Sequence, residues 1–235
     1  MADTADPDPS TTEQLRGVAD TEGAGCMPAI LAATVLMGII FFIAFAFSAW
    51  LIFQKRGDLA ARTIRATIIP ELEQSRLDPE EKTAVVKELS NLADDIEAEM
   101  YENWQAGGIM QRLINIPLMR WGDLEAVAVW AEKNLPDDQR KDASKQFSRF
   151  FRAVELDRAI SRDIHEILAP VATPENASGF VQLRSDLNDQ DVAEVVRRCK
   201  LVADRAEIPD QAFDRVSLTQ IVRRQIEAGG RDGAR

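Results

Sequence analysis

The residues able to do chemistry are few. The single histidine, His165, has Asp163 two positions before it and Glu166 directly after it. A carboxylate beside an imidazole raises its pKa and makes it pH-sensitive. Ile164 next to it on a helical stretch instead points to an ordinary boundary residue. One histidine excludes a His-pair zinc motif and the doubled Glu-x-x-His set of di-iron bundles. The acids Asp94, Asp95, Glu97 and Glu99 would attract a divalent cation if they converged. Near-consecutive helical positions point in different directions, so a solvated face is the expectation. Cys26 and Cys199 have no Cys/His spacing of a zinc site and are expected on opposite sides of a membrane, unpaired. Gly23, Gly25 and Gly107-Gly108 lack the lysine or strand context of a phosphate loop, and no Gly-x-Ser-x-Gly occurs. Asn176-Ala177-Ser178 fits a glycosylation sequon that matters only outside the cytoplasm. We therefore assign no catalytic, cofactor-binding or metal-binding residue and expect no enzyme.

The dominant element is a run from Met27 to Phe53 without Asp, Glu, Lys or Arg. As a helix it is about 40 Å long, against roughly 30 Å for a hydrocarbon core. A cleavable signal wants a basic start and a shorter core, whereas this start is acidic. A lipoprotein reading of Gly23-Ala24-Gly25-Cys26 fails because the apolar segment follows the cysteine. The run therefore reads as one transmembrane helix. Residues 1–22 carry six acids against Arg16, while Lys55, Arg56, Arg62 and Arg65 follow the run with only Asp58 opposing them. Basic residues near a span stay cytoplasmic, which predicts N-outside, C-inside in the cell membrane. Trp50, Lys55 and Arg56 are the expected membrane-interface residues. The pairs Ala29/Ala33, Thr34/Gly38 and Ala44/Ser48 would permit close approach of a second helix, by self-association or with another membrane subunit.

The remainder reads as all-α, a soluble multi-helix domain behind the span. The boundaries are an acidic tail over 1–26, the span over 27–53, a juxtamembrane helix over 54–77 and a helical domain over 78–235, with a subdivision possible near 171–187. Leu59, Ile64 and Ile68 give the juxtamembrane helix an apolar side, and Pro70 is expected to break or kink it. Asp78-Pro79-Glu80-Glu81 opens a helix striped by Val85, Leu89, Leu92, Ile96 and Met100, ended by Gly107-Gly108. Ile109 to Trp121 reads as a core helix ended by Pro117, with an in-plane membrane helix as the rival. Asp123 caps the next helix. Pro136-Asp137-Asp138 opens one long helix reaching to Pro170. Val192, Val195, Val196, Cys199 and Val202 form an apolar face, Ser217 to Gln220 a capping box, and Gly229-Gly230 the final stop.

The net charge is −11, of which −6 lies beyond the acidic tail, so no nucleic-acid partner is expected. No cofactor is implied. The expected partners are the lipid bilayer and either a protein partner or a second copy through the span. These features fit a membrane-anchored interaction or scaffold module, or an accessory subunit of a membrane complex. A membrane-linked signalling protein is the alternative, and a cryptic carboxylate enzyme the weakest.

Overall fold

A computed structural model describes residues 26–173 and 182–233. It is helical, and among the described residues the only β feature is an isolated bridge between Ala172 and Leu183. The first unit holds α1 (Cys26–Gln54), whose stretch Ile30–Trp50 is long and apolar enough to cross a membrane and has no buried residue.

The second unit, Leu51–Arg235, contains α2 (Arg56–Thr63), α3 (Ile69–Gln74), α4 (Pro79–Glu97), α5 (Asn103–Asn115), α6 (Trp121–Asn134), α7 (Asp137–Glu155), α8 (Ser161–Leu168), α9 (Asp189–Arg205) and α10 (Leu218–Asp232). One hydrophobic core runs through all of them. α10 returns to pack on α5 and α4, α2 packs on the same pair, α7 lies on α9, and α6 bridges to α7 and α8. The segments before and after 171–187 thus share one core, and the juxtamembrane stretch belongs to it through Ala60, Ala61, Ile64, Ile68 and Leu72. Leu59 departs from the expected apolar side and is exposed.

Pro70 does not break its helix. The five residues Ile64–Ile68 form a π turn, closed by the Ile69 N–H on the Ile64 carbonyl. Proline offers no N–H and its ring crowds the preceding turn, and widening the helix by one residue just before it absorbs both faults. α4 starts as expected: Asp78 accepts from the Glu80 N–H at 3.0 Å and the Glu81 N–H at 3.4 Å, and Pro79 takes the first position.

Where helices stop differs from expectation, with one cause. α4 ends at Glu97, ten residues before Gly107, through Glu99 at φ 56°. The Glu99 N–H bonds to Ile96 O at 3.1 Å and the Met100 N–H to Asp95 O at 2.9 Å, a Schellman pair. The long helix expected to reach Pro170 is two, because Asp157 at φ 58° closes α7 the same way on Val154 and Ala153. Glu207 at φ 55° closes α9. Each left-handed acidic residue costs roughly 1 kcal/mol that a glycine would avoid, so only the tertiary packing around these corners explains them.

The glycine pairs expected to stop helices lie inside them. Gly107-Gly108 is interior to α5, and Gly229-Gly230 to α10. A Cβ on Gly229 would stand 2.6 Å from Ile109 Cα, so this glycine lets two backbones cross in near contact. The core helix expected to end at Pro117 does stop just before it, but it begins earlier, at Asn103. α5 ends at Asn115, Leu118–Arg120 forms a 3₁₀ turn, and α6 starts at Trp121. Ile109, Leu113, Ile116, Leu118 and Trp121 are buried, so this stretch is core. Asp123 is not a cap; it stands in the first turn of α6 and pairs with Arg120 at 2.7 Å.

Candidate functional site

The fold separates the chemistry-bearing residues. Asp94 and Glu97 turn to Arg65, the latter at 3.2 Å, and no group of three metal-ligating side chains occurs among the described residues. Cys199 is fully buried in α9, and burial pushes its thiol far above the usual range, which leaves it unreactive. The sequon at 176–178 lies outside the described residues.

His165 behaves opposite to its sequence neighbours. Asp163 does not face it: its carboxylate accepts the Ile160 N–H at 2.8 Å and pairs with Arg205 at 2.7 Å. Burial, and secondly the charge of Arg120, lower the His165 pKa from 6.5. Across the same arginine, burial raises the Asp123 pKa, opposed by Arg120 and Arg76. Since the folded imidazole holds its proton less tightly than the unfolded one, the stability tied to its neutral form is present above pH 6.5. It is lost as pH falls toward and through the folded value. As the only histidine, it gives a clean NMR titration. The expected midpoint lies below 6.5, and one above it would restore the carboxylates as the controlling neighbours.

The predicted interface residues fall into the two units. Trp50 is exposed on α1 with Phe47 beside it, ring centroids 5.9 Å apart. Lys55 and Arg56 lie near the start of the second unit. Lys55 pairs with Asp58 at 3.0 Å, a solvated contact of small energy. Next to them, the Gly57 N–H donates to Asn103 Oδ1 at 3.0 Å, which ties the start of α5 to the start of α2.

An aromatic-lined concavity escaped the sequence reading. It is an open groove of about 320 Å³ between α6, α7 and the linker from α9 to α10. Its floor is Ala131, Phe147, Phe151, Phe213 and Val216, and both charges line it, Arg140 and Arg215 with Glu132 and Asp214. Arg215 reaches Glu125 at 3.2 Å and Glu81 at 3.5 Å. Burial raises the Glu125 pKa, Arg215 opposes this, and the Glu81 charge adds to it. Glu81 also accepts the Ser217 hydroxyl at 2.8 Å and the Thr219 N–H at 3.2 Å, so an α4 carboxylate completes the α10 cap alongside the expected Ser217–Gln220 contact.

The linker that forms one groove wall is held by Arg149, which is 2% exposed. Its guanidinium donates to Gln146 Oε1 at 2.8 Å, Pro209 O at 3.0 Å, Ile208 O at 2.6 Å and Asp204 Oδ1 at 2.6 Å. The signals for this wall were a base inside the Phe147–Phe150–Phe151 stripe and a lone aromatic, Phe213, in a polar linker. No protein-family model, curated protein or solved structure matches the chain.

Proposed function

We propose that this chain is a single-pass membrane protein whose helical domain docks a protein partner, as a scaffold or an accessory subunit of a membrane complex. The observation that carries the reading is α1, whose Ile30–Trp50 stretch is apolar and wholly exposed on a chain whose second unit buries its own apolar faces. A soluble protein does not leave such a surface in water. The four bases after the span favour N-outside, C-inside. Insertion precedes folding, so the later pairing of Lys55 and Arg65 does not erase that signal. The docking surface we assign is the groove beside Phe151 and Phe213. Its apolar floor and a rim of mixed charge suit a partner segment that inserts apolar side chains and pairs polar ones around them.

The test pairs two C-terminal fusions, one reporter active only inside the cell and one only outside. We expect membrane-fraction signal from the inside reporter alone. Signal from the outside reporter alone overturns the orientation, and a fusion that stays soluble overturns the anchor. A photocrosslinker at Val129, a 52% exposed groove residue, is expected to capture a discrete partner. The same probe at Leu201, 54% exposed on α9, serves as the background control.

A further inference from the structure

One end of the second unit gathers features that its protein neighbours do not use. Among the described residues outside α1, eight large apolar side chains are exposed, and two of them, Met100 and Trp104, flank Asn103, which is bonded to the start of α2. Met100 is 69% exposed and Trp104 45%. The corner is built. Gly57 of α2 binds Asn103, the Trp104 indole N–H donates to Glu102 at 2.6 Å, and Gln105 holds the Gly230 carbonyl at 2.6 Å. A Cβ on Gly233 would touch the Trp104 ring at 3.5 Å, so the indole has one packed side and one side in the open.

Chain length says what is near it. α1 extends to Gln54, about 6 Å of helix beyond Trp50, and two further residues reach Arg56 within about 7 Å more. A headgroup layer is roughly 5–8 Å thick on each side of the hydrocarbon core. With Trp50 at the edge of that core, the start of α2 lies at or just beyond the headgroups, and Asn103 is bonded to it. Trp and Met are the side chains that enter such a layer readily. The neighbouring acids Asp95, Glu99 and Glu102 limit the contact to the headgroup level.

We infer that the corner formed by Met100 and Trp104 rests on the lipid surface, so that the domain is held against the bilayer at a second point beyond its anchor. This rests on the membrane reading above. The full chain carrying Cys26→Ser serves as background, because buried Cys199 takes no thiol label. Met100→Cys, Leu201→Cys and Phe42→Cys are each labelled with NBD and reconstituted in vesicles of equal parts phosphatidylcholine and phosphatidylglycerol, with and without nitroxide-labelled lipid. The expected result is strong quenching at 42 and several-fold more quenching at 100 than at 201. Quenching at 42 with 100 no higher than 201 overturns the inference and leaves the anchor standing. No quenching at 42 overturns the anchor and the inference together.

Discussion

Arg149→Met is expected to lower the unfolding free energy of the domain by about 3–4 kcal/mol. Methionine keeps most of the apolar stem volume, so the loss comes from the guanidinium. Two acceptors lose their donor with it, Gln146 Oε1 and the Ile208 carbonyl, while the Pro209 carbonyl keeps the Gln211 N–H at 2.9 Å. Each buried acceptor left unsatisfied costs about 1–3 kcal/mol. The Asp204 and Asp210 carboxylates add little, because both are substantially exposed and regain water. Urea unfolding of the detergent-solubilised chain, followed by helical circular dichroism, measures it. Arg152→Met is the comparison, an arginine that pairs with Glu155 and lies 5.9 Å from the Phe213 ring centroid while 38% exposed. It should lose under about 1 kcal/mol. Equal losses for the two variants would mean that the buried network does not hold the linker. Crosslinking from Val129 should fall in Arg149→Met even where the domain remains folded, because the Phe213 wall of the groove is then held only by the Phe213 N–H on Ser148 Oγ at 3.1 Å and by the Lys145–Asp210 pair.

Which parts of this architecture the sequence discloses follows from what each signal depends on. The all-helical class, the apolar helix Ile30–Trp50 and the starts of α4, α9 and α10 depend on local chemistry. Asp78, Asn188 and Ser217 each accept an N–H of their own first turn. Helix ends depended on tertiary context. The chain closes α4, α7 and α9 with Glu99, Asp157 and Glu207, residues that carry no stop signal in isolation. Met100, placed on an apolar stripe by spacing, falls outside the helices and is exposed. His165 shows the same limit for a functional group. Its sequence neighbours argue for a raised pKa, while burial and Arg120, 45 positions away, lower it. The groove was out of reach for a related reason, since its wall is a linker without periodicity whose position is set by Arg149.

The glycines allow the sharpest separation of local from tertiary causes, since Gly107 and Gly229 are both interior helical glycines yet should respond oppositely to alanine. At Gly107 the added Cβ would lie 3.9 Å from the Arg56 Cδ and Nη1 atoms, an ordinary contact. Only the helix propensity term remains, so Gly107→Ala should gain about 0.5–1 kcal/mol. At Gly229 the Cβ would lie 2.6 Å from Ile109 Cα and 2.8 Å from its N, and backbone atoms inside two packed helices cannot move aside cheaply. Overpacking of this kind costs 1–3 kcal/mol or more, so Gly229→Ala should lose roughly 3 kcal/mol despite the same propensity gain. Ile109→Ala distinguishes backbone from side-chain collision. It removes Cγ1, which the Gly229 Cβ would meet at 2.8 Å, but leaves the closer Cα, so the double variant should show no rescue in thermal or urea unfolding. Rescue would mean that α10 and α5 are kept apart by side chains. A stabilising Gly229→Ala would mean that the two helices do not cross here at all and that Gly229 is an uncrowded interior position like Gly107, whereas a loss of about 1 kcal/mol fits a left-handed stop instead.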